Sequence, residues 1–162
     1  MKELIDKLSS YNLFNYLLPG TLFAVLAEHV STFKIIQSDI VVGLFLYYFI
    51  GLVISRIGSL AIEPVMRRTS FVKFAPYKDF VSVAKQDPTL EILSEANNMY
   101  RTLCALFMSL GALRLFDVVV RFLGLSSVIG LSVLFAVLFL LFAFAYRKQT
   151  AYIVQRIEAG RK

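Results

Sequence analysis

The sequence predicts an all-α fold, a polytopic bundle of four membrane-spanning helices with cytoplasmic helical extensions, and three observations predict it. Two hydrophobic blocks, Leu13 to Ile62 and Met99 to Tyr146, enclose a charged stretch, and each is about twice the roughly 20 residues that one crossing needs. Hydrophobic residues make up 58% of the 162, mean hydropathy is +0.71 and only 17% of residues are charged. So little polar composition cannot coat a soluble domain of this length. Basic residues also fall unevenly. Lys2, Lys7, Arg67, Arg68, Lys73, Lys78, Lys85, Arg147, Lys148, Arg156, Arg161 and Lys162 lie in the proposed inside segments, against Lys34, Arg114 and Arg121 at the outside turns.

The elements follow in order. The first block divides at the polar stretch Ser31 to Asp39 and the second at Gly124 to Ser127, giving spans near 12–30, 39–62, 99–122 and 127–146 in one membrane domain covering 1–162. Segment 63–98 and tail 147–162 are then cytoplasmic, as are both termini. The first span reads as retained rather than as a cleaved signal, because Glu3 and Asp6 stand where a basic region belongs. Pro19-Gly20 should kink or break it early, with Asn12 and Asn15 able to bond the freed backbone. Glu28 and His29 end it at the outer interface, where the lone His reads as solvated rather than as a proton sensor.

In the second span Gly43, Gly51, Ser55 and Ser59 form a small-residue face, interrupted by Tyr47. Such a face permits close helix approach, either between subunits of a homo-oligomer or within one chain. The middle segment carries Phe71, Phe74, Tyr77, Phe80 and Val81 among basic residues and is divided by Pro76. Two readings stay open for it: lying along an anionic headgroup surface, or packing under the bundle as a plug. Asp87-Pro88 reads as a helix start, an Asp N-cap followed by Pro at the first helical position. One helix should run from Pro88 to about Phe122, longer than the bilayer core, so that its first turns project into the cytoplasm. The fourth span should project likewise through Glu158, with Leu90, Ile92 and Leu93 set to pack on Tyr152, Ile153 and Ile157. Its membrane part is a Leu, Phe, Val and Ala surface that should face lipid.

Polar residues within spans are the default functional candidates. Arg56 lies near enough to the inner end of its span to snorkel inward. Arg114, Asp117 and Arg121 share one face, either as a mutually neutralising ladder or as the lining of an ion path. Glu91, Glu95, Tyr152 and Arg156 are the candidate face for a cytoplasmic protein partner. The one cysteine, Cys104, reads as packing in the third span. No phosphate loop, HExxH, paired Cys or Ser-His-Asp set is present, so the sequence points to no enzyme chemistry, catalytic residue, cofactor or metal. The net charge of +6 is read as a topology signal, without direct nucleic-acid binding. The two halves share a two-span pattern, but their charges do not coincide, which argues against an inverted-repeat transporter.

The four-span plan, the middle segment ending Leu93-Ser94-Glu95-Ala96-Asn97-Asn98-Met99-Tyr100-Arg101, and the tail Tyr146-Arg147-Lys148-Gln149-Thr150-Ala151-Tyr152 resemble small bacterial inner-membrane proteins. The plan is also similar to membrane components of phage-defence systems, such as the Kiwa-type membrane subunit and four-span effectors. That resemblance covers the whole chain, rests on architecture and transfers no functional residue. It implies an inner-membrane oligomer acting as a scaffold or sensor that recruits a cytoplasmic partner, or alternatively a pore-forming effector that alters membrane permeability.

Overall fold

The computed structural model describes residues 13–84 and 86–160, and all the regular structure among them is helical. The expectations that involve Lys2, Glu3, Asp6, Lys7, Asn12, Lys85, Arg161 and Lys162 fall outside the described residues. A π-helical turn, Leu13–Leu17, leads into α1 (Leu18–Val30). Helix α2 (Ile40–Ile57) runs through a second π-helical turn, Gly58–Ile62, into α3 (Glu63–Arg68). A short helix α4 (Tyr77–Ala84) follows, then two long helices, α5 (Thr89–Phe122) and α6 (Ser127–Gly160).

Three stretches among the described residues are long and apolar enough to cross a bilayer: Ile40–Arg68, Thr89–Phe122 and Val128–Gly160. The first block divides as its polar stretch predicts, and α2 opens on Asp39, whose carboxylate accepts a hydrogen bond from the Val42 N–H at 2.9 Å. Both π turns stand just before a proline, Pro19 and Pro64. Proline donates no N–H and its ring presses on the carbonyl four residues back, so the turn in front of it widens. The kink expected at Pro19-Gly20 thus takes the form of a π turn on its N-terminal side.

The long helices stop where local chemistry dictates. After α5 the N–H of Gly124 reaches the Arg121 carbonyl at 3.2 Å and that of Leu125 the Val120 carbonyl at 3.0 Å, a Schellman closure with Gly124 at φ +62°. After α3 the same pair of bonds recurs, Ser70 to Arg67 and Phe71 to Met66, but here Ser70 takes the left-handed conformation at φ 58°. Asp87 accepts the Thr89 N–H at 2.9 Å, the bond an N-cap makes across Pro88.

The core joins α1, α2 and α5 through Ala27, Ile54, Ala105, Leu106 and Leu110, with Ile62 of the second π turn. Helix α1 runs antiparallel beside α2. The Tyr16 hydroxyl meets Arg56 at one end, while at the other Glu28 accepts the Ile35 and Ile36 N–H groups at 3.0 and 2.9 Å. Their crossing is close because it is made of glycines: a methyl on Gly20 would overlap the Tyr47 carbonyl, and one on Gly51 the Tyr16 carbonyl. Around Gly51 the small-residue face of the second span is therefore taken up within the chain. Gly51 and Ser55 are buried there, Gly43 lies beside the Tyr47 ring of its own helix, and Ser59, in the π turn that follows, offers its backbone carbonyl to Lys148.

Helix α6 stands apart. None of its apolar window is buried, and its attachments are few: Phe142 tilted on Phe49 at 6.0 Å, Lys148 on the second π turn, and Tyr152 beside Tyr77 at 6.2 Å. Two sequence expectations need correction here. Ile92, Leu93, Ile153 and Ile157 do not pack on one another, because α4 touches both long helices and holds them apart, with Val81 buried and Tyr77 against Tyr152. Cys104 lies on the exposed side of α5 instead of in the packing, one residue before the buried pair Ala105 and Leu106.

Candidate functional site

Charged side chains gather at two nodes, one at each end of the bundle. Sixteen-residue spacing along one helix sets their separation: Arg101 and Asp117 both belong to α5, about 24 Å apart at 1.5 Å per residue.

The first node centres on Glu63, only 8% exposed. The π turn puts it there. Its N–H bonds to the Gly58 carbonyl five residues back, and the widened turn aims its carboxylate between α5 and α6. Arg101 donates to one carboxylate oxygen at 2.6 Å, and the Lys148 ammonium donates to the other at 3.1 Å and to the Ser59 carbonyl at 2.6 Å. Gly58 permits the approach of α5, since a Cβ there would sit 3.2 Å from the Arg101 carbonyl oxygen. Burial pushes the Lys148 ammonium below its ordinary pKa against the opposing pull of Glu63, with Arg101 and Arg67 adding repulsion. Tyr152 has its phenol pushed up by partial burial, with the Glu63 charge adding to it. With both oxygens engaged by cations, Glu63 ties α3, α5 and α6 together.

The second node centres on Asp117, 2% exposed. Arg121 reaches it at 2.9 Å and Arg114 at 3.6 Å, so the i, i+3 and i+7 set does pair internally. The Thr32 hydroxyl donates to its other oxygen at 2.6 Å, tying the segment after α1 to the end of α5. The two guanidinium groups are each about half exposed, so the node opens outward from a buried carboxylate.

Arg56 is half-buried and donates to the Tyr16 hydroxyl at 3.3 Å, and Tyr16 packs edge-on against Tyr48. His29 is exposed, its Nδ1 2.9 Å from the Val25 carbonyl, while Glu28 organises the following loop. Of the candidate partner face, Glu91, Glu95 and Arg156 are exposed, but Tyr152 is partly covered by Tyr77 and by Lys148, whose ammonium lies 5.6 Å from its ring centre. The aromatic segment divides between its two readings: Phe71 and Phe74 face outward, with Arg67 over the Phe74 ring at 5.5 Å, whereas Tyr77, Phe80 and Val81 turn inward.

The Glu63 node was not legible as a site, because its partners lie 38 and 85 residues away. One signal pointed to it: Glu63 is a carboxylate at the end of an apolar run, directly before a proline. Comparison with known protein families, characterised proteins and solved structures returns no match.

Proposed function

We propose that the chain is a four-span protein of a bacterial inner membrane, with both termini cytoplasmic, that works as a homo-oligomeric scaffold or sensor and holds a cytoplasmic protein partner on its projecting helices. The membrane placement is supported by α6, a 34-residue helix whose apolar length no other element covers and which water would not tolerate bare. A fourth crossing is supported by α1, which lies antiparallel to α2 along the same apolar depth.

The observation that carries the partner reading is the pair of projections beyond the Glu63 node. Residues 89–100 of α5 and 149–160 of α6 extend about 18 Å each past it. There they leave Ile92, Leu93, Ile153 and Ile157 exposed beside Glu91, Glu95 and Arg156. Apolar residues rimmed by charge outside the lipid zone are the composition of a protein-binding surface. The architectural resemblance to defence-system membrane subunits supports an antiviral setting for such recruitment.

A photo-crosslinker at Ile157 in native membranes tests this. One discrete adduct is expected, reduced when Glu91 and Glu95 are both changed to Lys, with insertion unaltered. Absence of any adduct, together with bilayer currents that vanish when Arg114, Asp117 and Arg121 are all changed to Gln, would overturn the scaffold in favour of a pore.

A further inference from the structure

Between α6 and the helix formed by α2 and its π turn lies a crevice of about 590 Å³, inside the range of roughly 300 to 1,000 Å³ typical of small-ligand clefts. Its walls change character along their length. Leu60, Ala61, Leu141 and Phe144 are apolar, and Arg147 and Lys148 line the end nearer the tail, with Ala151 one turn further on. Leu141 and Lys148 are seven residues apart on α6, so the apolar wall runs about 10 Å away from the cations, towards the middle of the hydrophobic stretch.

The electrostatics at the cationic end are unbalanced. Lys148 and Arg101 share one carboxylate, Glu63, and Arg67 stands near enough to repel Lys148. Arg147 is exposed and makes no ion pair among the described residues. The end of the crevice therefore carries excess positive charge where the apolar stretch gives way to the polar tail.

We propose that this crevice binds an anionic phospholipid, with an acyl chain along Leu60, Ala61, Leu141 and Phe144 and the phosphate at Arg147 beside Lys148. The inference rests on the membrane placement proposed above and is independent of the partner. Charge complementarity selects an anion, and the apolar wall selects one that carries a hydrocarbon chain, which a free phosphate lacks. A second helix is a poor occupant: at about 10 Å across, it would fill this volume with roughly 8 Å of its length.

Native mass spectrometry of the full chain, released from bilayers of equal phosphatidylglycerol and phosphatidylcholine, tests the assignment. Phosphatidylglycerol should be retained over phosphatidylcholine by at least about fivefold, and Arg147→Gln should cut that preference about fivefold. Ala61→Trp, or Leu141→Trp on the facing wall if the first variant fails to fold, should lower retention with every charge in place. Equal retention of the two lipids overturns the proposal. So does loss in Arg147→Gln without loss in the wall variants, which would mean surface attraction only. Displacement of phosphatidylglycerol by millimolar inorganic phosphate would make it a free-phosphate site. A wall variant that changes subunit number but retains lipid would assign the crevice to a second copy. A chain extracted from membranes by alkali fails the membrane reading itself, whereas an inserted chain without lipid preference fails this inference alone.

Discussion

Glu63→Gln removes the anion between two cations and keeps the side chain's size. In the native structure Arg101 and Lys148 lie 2.6 and 3.1 Å from the carboxylate, which is 9% exposed, while the cations are 23% and 24% exposed. Breaking a fully buried pair costs about 3 to 5 kcal/mol, and a fully exposed one is worth about 0.2 to 1. With the cations partly hydrated, the expected loss is about 2 to 3 kcal/mol. It measures the repulsion left behind rather than the worth of the pair, so adding Lys148→Met should recover much of it. Reversible unfolding in mixed micelles, followed by helicity, reads the single and double variants together. Loss of less than about 1 kcal/mol in the single variant, or full additivity in the double, would refute the view that Glu63 clamps α3, α5 and α6.

Other consequences test the fold at separate places. Gly51→Ala should cost about 1 to 3 kcal/mol or more by forcing α1 off α2, whereas Gly111→Ala, with open space around its Cβ, should gain about 0.5 to 1 kcal/mol in the same unfolding assay. Ser70→Gly should stabilise the end of α3 by about 0.5 to 1 kcal/mol, since Ser70 occupies a left-handed conformation that glycine adopts freely, and an unchanged or lowered midpoint would contradict that. Asp87→Ala should speed amide exchange in the first turn of α5. The Thr89 hydrogen bonds hold the Asp87 carboxyl below its unfolded value of 3.8, so the cap's contribution is full above that pH and fades as pH falls through the lower folded value. Exchange in that turn should therefore lose its dependence on residue 87 in strong acid.

Helix positions were legible in the sequence because each has a local cause. The predicted break at 124–127 coincides with Gly124, and Asp87-Pro88 announces the start of α5 within a residue. The Arg114, Asp117 and Arg121 ladder follows from helical spacing alone, but Thr32 joins it from 85 residues away, which no spacing rule could supply. Partner assignments failed for the same reason. Leu93 and Ile153 have the right periodicity to meet, yet α4 occupies the space between their helices, a fact of topology rather than of pattern. The π turn that aims Glu63 leaves only an indirect trace, Pro64, because proline allows a kink, a bulge or a helix start equally. Ser70 left no trace, since a serine does not advertise a left-handed cap.

The central claim is a four-span bundle with its projections in the cytoplasm, and the location of the N-terminus tests it most directly. Helices α2, α5 and α6 alone would put the two termini on opposite faces, and only a crossing by α1 brings them together. An epitope placed before Met1 should resist protease in intact spheroplasts, as should one after Lys162, and both should be cleaved once the membrane is opened. Cleavage of the N-terminal epitope from outside, with the C-terminal one protected, would leave three crossings and contradict the account.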